Sequence, residues 1–213
     1  MTRILLTTDD LAPSNIEGQF EFWDKLWKKH KNFQLLAFTT ANWNFRLPKK
    51  SKFRGNNSIL REDFIEFCNK RKNWLLIAYH GLTHEVAEST LPLQDQQKSI
   101  KEMLSIFHKF SQKFKGEIVP AYKPPFYRFN SDALNICKDS GIRYFFMQDG
   151  ILDLQTYNFF RRNDIHLIDS HTNPRAQSVK DGKTISAPDR IDFLYERLDK
   201  FLSNQNAWEN FIR

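Results

Sequence analysis

Short apolar runs of strand composition alternate with longer amphipathic segments along nearly the whole chain, and few architectures accept that alternation. The runs fall at 3–8, 33–39, 74–79, 117–122, 143–148 and 165–169, with Ile4-Leu5-Leu6 and Leu75-Leu76-Ile77 as clear cases. Between them the spacing predicts helices over 16–30, 61–71, 94–114 and 131–140, and a last one near 189–204. Ser131 followed by Asp132 offers an N-cap to the fourth helix, and Gly141 a left-handed stop. Repeated strand-helix units imply an α/β fold with a parallel sheet, either closed as a barrel or open and doubly wound. No internal repeat, Gly/Ser linker or low-complexity tract interrupts residues 1–213, so a single domain is expected.

With 40% hydrophobic residues, 20 Phe and only 7 Gly, the chain has the means to build a large core and is not a disordered one. Cys68 and Cys137 both fall inside predicted helices among apolar neighbours, where a small buried thiol is expected rather than a disulfide or a metal ligand. Acidic residues by position 9 leave no room for an apolar signal core or a membrane span, and the expected location is cytoplasmic. The net charge of +7 gathers at 25–31, 46–54 and 109–115. Such clusters are ordinarily solvated surface; read functionally, they attract an anionic ligand such as a nucleotide-linked sugar, and no nucleic acid partner is expected. The oligomeric state is left open.

Residues with chemical potential concentrate after the strands. Asp9 and Asp10 follow the first run, Asn42 and Trp43 the second, His80 and His84 the third, Lys123 to Tyr127 the fourth, Asp149 the fifth and His171 the sixth. Carboxyl ends of parallel strands share one face, where the sites of such folds lie. Two histidines four residues apart plus a carboxylate suit a zinc-like divalent ion and leave coordination positions open for water and substrate. The same donor set also makes the iron facial triad, so an iron-dependent oxygenase ranks as a last alternative. His30, His108 and His166 are read as surface or packing residues. An Asp after a strand is often only a cap or turn former, which accounts less easily for two in succession. Trp43 and Tyr127 have the shape of sugar-stacking platforms, although packing is the commoner fate of an aromatic ring.

These motifs resemble those of the NodB-homology polysaccharide deacetylases, carbohydrate esterase family 4. Leu6-Thr7-Thr8-Asp9-Asp10 is similar to the family's Thr-Phe-Asp-Asp-Gly, and His80-Gly81-Leu82-Thr83-His84 to its His-Ser/Thr-x-x-His. Lys123-Pro124-Pro125-Phe126-Tyr127 resembles Arg-x-Pro-aromatic-Gly, and Leu167 to His171 resembles the last motif, an apolar strand ending in His. The resemblance implies a distorted (β/α) barrel of about seven strands and a metal-dependent hydrolase that removes an N-acetyl or similar acyl group from a sugar. It makes Asp10, His80 and His84 ligands of a divalent metal ion, zinc by preference, Asp9 the base and His171 the general acid. Lys123 stands in the catalytic group where the family has an Arg, and the backbone amide near Phe126 becomes an oxyanion donor. Trp43, Phe126, Tyr127, Arg128 and Asp149 fall on the substrate side, with Arg128 able to compensate for Lys123 and Asp149 a candidate partner for His171. The substrate expected is an N-acetylated sugar, nucleotide- or lipid-linked, on the way to a surface glycan. Lys123, Leu11 in place of a Gly and the lack of a clear fourth motif make a catalytically inactive carbohydrate-binding protein the alternative.

Overall fold

The computed structural model describes residues 3–14, 16, 19–43, 57–147, 150–151, 165–168, 178–180, 183–185, 199 and 202–203. Strand and helix alternate as β1 (Arg3–Leu11), α1 (Gln19–Lys29), β2 (Phe33–Thr39), α2 (Glu62–Asn69) and β3 (Leu75–Tyr79). The chain continues with α3 (Leu93–Ser111), β4 (Ile118–Tyr122), α4 (Ser131–Asp139) and β5 (Tyr144–Met147). β6 (Gly150–Ile151), β7 (Ile165–Ile168) and a hairpin of β8 (Ser178–Lys180) with β9 (Lys183–Ile185) complete the described elements. The helix expected near 189–204 lies outside the described residues apart from Asp199, Leu202 and Ser203, which are helical.

The main sheet has the order β6-β5-β4-β3-β2-β1-β7. Neighbours from β5 through β7 pair in parallel, and β6 turns back antiparallel on β5. It is a curled, half-barrel sheet, and closure of its two edges is not seen among the described residues. Both faces are apolar, as expected of parallel strands covered on each side. Leu6, Leu35, Ala37, Leu75 and Ile77 face one cluster, while their neighbours Leu5, Leu36, Phe38, Leu76 and Ala78 face another. The first cluster takes residues from each of α1 to α4, including Trp23, Phe64, Phe107 and Ile136; among the described residues the second is built from strand residues alone. Placing α1 to α4 on one face is the layering of a barrel, with the second cluster as its interior. A doubly wound sheet would place helices on both faces.

Local chemistry explains the elements. In α3 the buried residues Gln96, Ile100, Met103, Phe107 and Phe110 recur at the helical period and form its core stripe. The cap of α4 lies one residue before the expected Ser131: the Asn130 side chain accepts from the backbone N–H of Ala133 at 3.1 Å. At its other end Gly141 is left-handed, with φ +82. Its N–H donates to Lys138, and the N–H of Ile142 donates to Cys137, closing the helix in a Schellman motif. Cys68 and Cys137 are buried free thiols within α2 and α4. Of the histidines read as surface or packing residues, His30 packs, buried and bonded through Nε2 to Asp199 Oδ1 at 2.7 Å, while His108 is exposed. Among the described residues no helix is long and apolar enough to cross a membrane.

Candidate functional site

The acidic pair lies within the end of β1 rather than beyond it. Two successive strand residues normally point to opposite faces, yet both carboxylates here address the same end of the sheet. A bulge achieves this. Between Thr8 and Leu11 the chain takes three steps against two on β2, from Ala37 to Thr39, and Asp10 adopts φ +63. Asp10 is therefore turned toward His80 and His84, while Asp9 meets Lys123 and Tyr127.

His80 follows β3 directly and is fixed by hydrogen bonds on both sides. Its backbone N–H donates to the Thr39 carbonyl at 3.0 Å. Its Nδ1 lies 2.6 Å from the Lys123 carbonyl, which can only accept, so Nδ1 carries a hydrogen and Nε2 is directed at Asp10. Asp10 Oδ1 lies 3.2 Å from His80 Nε2 and 3.3 Å from His84 Nε2. The ligand atoms of Asp10, His80 and His84 all fall within 4.8 Å of one another, a donor set and spacing that fit one divalent cation. A carbonyl that accepts from the far nitrogen of a His ring, and so orients it, is the usual companion of such a site.

The electrostatics separate the two histidines. Burial pushes the Asp10 carboxyl up, but the His80 hydrogen bond and the charges of His80, His84 and Lys123 outweigh it and leave Asp10 below its ordinary value. Burial pulls both imidazoles down. At His80 the hydrogen bond and charge of Asp10, with the charge of Asp9, reverse this and raise it above 6.5. At His84 burial and the neighbouring His80 prevail and bring it to about 4.

Asp9 is only 3% exposed, and two donors meet on its Oδ2: the Lys123 ammonium at 3.1 Å and the Tyr127 hydroxyl at 2.8 Å. Lys123 is itself buried and lies over the rings of Tyr127 and Phe38, at 5.0 and 5.6 Å from their centroids. Phe126 and Tyr127 both adopt left-handed backbone, at φ +57 and +58, in the tight turn Pro125–Tyr127. Non-glycine residues hold that conformation only where their surroundings impose it. Here the turn delivers the Phe126 ring to 4.6 Å from that of His84 and the Tyr127 hydroxyl to Asp9. Trp43 approaches the His84 ring at 4.8 Å. Asn57, fully buried, donates to the Trp43 carbonyl at 2.8 Å and holds that loop.

Asp9, Asp10, Trp43, His80, His84, Lys123, Phe126 and Tyr127 thus converge at the carboxyl ends of β1 to β4, over the interior cluster. Arg128 is exposed, and the contacts on Asp9 come from Lys123 and Tyr127 instead. Tyr127, placed on the substrate side by its motif, turns its hydroxyl to Asp9. Asp149 and His171 lie outside the described residues, as does the basic run 46–54. Sequence reasoning misses Glu88 and Asn57, because a single Glu or Asn in a polar stretch carries no periodic or motif signal.

No protein-family model matches the chain, and no curated protein matches it by sequence. Solved structures do match in fold. A family 4 carbohydrate esterase from Streptomyces lividans, in complex with acetate, superposes with a TM-score of 0.52 at 12% identity, over 94% of this chain and 90% of that one. A family 4 acetyl xylan esterase from Clostridium thermocellum, in complex with a cobalt ion, has a TM-score of 0.44 at 8% identity, over 78% of this chain and 87% of that one. A CE4 family pseudoenzyme from Bacillus anthracis gives 0.47 at 11% identity, over 92% of this chain and 61% of that one. The chain has the fold of the family 4 carbohydrate esterases, at 12% identity to the Streptomyces enzyme.

Proposed function

We propose that the chain is a metal-dependent hydrolase that removes an N-acetyl or similar acyl group from a sugar. One observation carries this reading: Asp10, His80 and His84 bring one ligand atom each within 4.8 Å of the others, with the buried carboxylate of Asp9 beside them. Asp10, His80 and His84 would hold the divalent ion, zinc in first place. Bound there, it would polarise the amide carbonyl and lower the pKa of a coordinated water to ~7.

Asp9 takes the proton of the attacking water, its carboxylate held by Lys123 and Tyr127. The backbone amide of Phe126 serves the developing oxyanion. As the C–N bond breaks, His171 protonates the departing nitrogen, and acetate and a free amino sugar leave. Trp43 and Phe126, both packed against the His84 ring, border the acyl group. The curled sheet is read as part of a distorted barrel of about seven strands. The substrate class is a nucleotide- or lipid-linked precursor of a surface glycan, handled in the cytoplasm.

Acetate release from a panel of N-acetyl sugars and nucleotide sugars, with zinc, cobalt or chelator, tests this. Turnover should require metal, and His80→Ala should lose both metal and turnover. Asp9→Asn should keep the metal and lose most turnover, ~10²-fold or more, since an amide cannot accept the water's proton. A second reading is favoured by Lys123 and Tyr127 meeting on the same Asp9 oxygen. In it the base is locked and the chain binds acetylated glycans without cleaving them. Saturable glycan binding with no acetate release under any metal would select it.

A further inference from the structure

The reaction described above has no use for Glu88, a carboxylate only 5% exposed in the 3-10 turn Glu88–Thr90. Its Oε1 accepts from the backbone N–H groups of Thr83 at 2.6 Å and His84 at 3.0 Å, and from the Thr83 hydroxyl at 3.1 Å. Its Oε2 accepts from the Leu82 N–H at 2.6 Å and from the Ser99 hydroxyl at 3.0 Å. The segment from His80 to Val86 is neither strand nor helix, so no ladder satisfies these amides, and buried donors need a partner.

The same segment is conformationally demanding. Gly81 stands at φ +84 and His84 at φ +58, the latter against the preference of any residue with a β-carbon. A β-carbon on Gly81 would lie 2.5 Å from Pro125 Cγ and 2.9 Å from Glu88 Oε2, so the carboxylate is packed directly on the backbone beside His80. Ser99 in turn belongs to α3, whose next residue, Ile100, is in the core. The loop is thereby tied to a rigid helix through one side chain.

We propose that Glu88 is a positioning residue for the metal ligands, a role that rests on the metal reading above. By gathering three consecutive amides around one carboxylate, it imposes the loop conformation that aims His84 Nε2 at Asp10. Glutamine at this position keeps the shape but offers one accepting oxygen, and its NH₂ faces donors that it cannot satisfy.

The test is titration of the purified protein with cobalt(II), followed by visible absorption, beside thermal unfolding of the metal-free forms. Glu88→Gln should bind cobalt about 10- to 100-fold more weakly than the unsubstituted chain, with an altered absorption band, at a temperature where both are folded. Ser99→Ala, remote from the ligands, should weaken binding about threefold by loosening Oε2. A lowered unfolding temperature in Glu88→Gln with unchanged affinity and spectrum would make Glu88 a stability residue and overturn the proposal. Should Glu88→Gln not fold, unchanged affinity in Ser99→Ala overturns it. If the unsubstituted chain itself binds no cobalt, the metal reading falls first, a result separable from failure of the variant alone.

Discussion

His80 and His84 are identical residues shifted in opposite directions by their surroundings. His84, brought to about 4, is neutral at pH 7, whereas Asp10 holds His80 above its ordinary value and makes it the more readily protonated of the two, on the ring edge facing Asp10. Where His80 carries that proton a divalent ion must displace it, and there is none to displace at His84. The sign follows: below the raised value of His80, metal uptake releases one proton and affinity climbs with pH, about tenfold per unit, and above it the dependence levels off. Calorimetric titration between about pH 6 and 8, in buffers of different ionisation heat, counts the proton. A flat profile with no proton released would mean that both imidazoles are neutral before metal arrives. At this scale the sequence is legible where spacing carries information, because His80 and His84 straddle a loop whose length brings their rings to 5.0 Å. It is not legible where geometry depends on an irregularity. Nothing in Thr8-Asp9-Asp10-Leu11 announces the bulge that sends both carboxylates to one site. Nor does Lys123-Pro124-Pro125-Phe126-Tyr127 say that Tyr127 reaches Asp9 through left-handed backbone.

The elements repeat this division. Helices and strands with a clean period stand close to where the spacing predicts them, because burial of one stripe decides their existence. Their ends depend on single hydrogen bonds, which is why α4 is capped by Asn130 and not Ser131. The two left-handed glycines among the described residues allow a comparison. Gly141 has open space around a would-be β-carbon, so Gly141→Ala should cost only the conformational term, about 1 kcal/mol, and leave metal binding intact. Gly81→Ala adds a clash with Pro125 and Glu88, which belong to the two loops that shape the site. It should lose more stability than Gly141→Ala and most of its metal affinity. Urea unfolding with a cobalt titration of each variant checks both, and equal effects would mean that the close contact at Gly81 relaxes freely.

Across the whole molecule, the face that carries the site is set by topology and its field by composition. Every converging residue comes from a strand end or the loop after it, and α1 to α4 pack on the outer cluster, away from the strand residues of the interior one. The run from Arg46 to Arg54 begins three residues after Trp43 in sequence, and the chain carries a net charge of +7. A positive surround raises the local concentration of an anionic substrate and speeds its capture, whereas a neutral one gains nothing. Salt should erase that advantage, since screening shortens to ~10 Å at 0.1 M and ~3 Å at 1 M. The expected outcome is therefore a kcat/KM for nucleotide- or phosphate-linked acetyl sugars that falls several-fold between about 0.02 and 0.5 M salt, with kcat nearly constant, beside a flat response for neutral acetylated oligosaccharides. Replacing Lys49, Lys50 and Lys52 together by Gln should flatten the anionic response and leave the neutral one unchanged. Equal salt sensitivity for both substrates would assign the effect to the protein's own stability, and equal turnover with none would return the choice of substrate to the shape of the pocket.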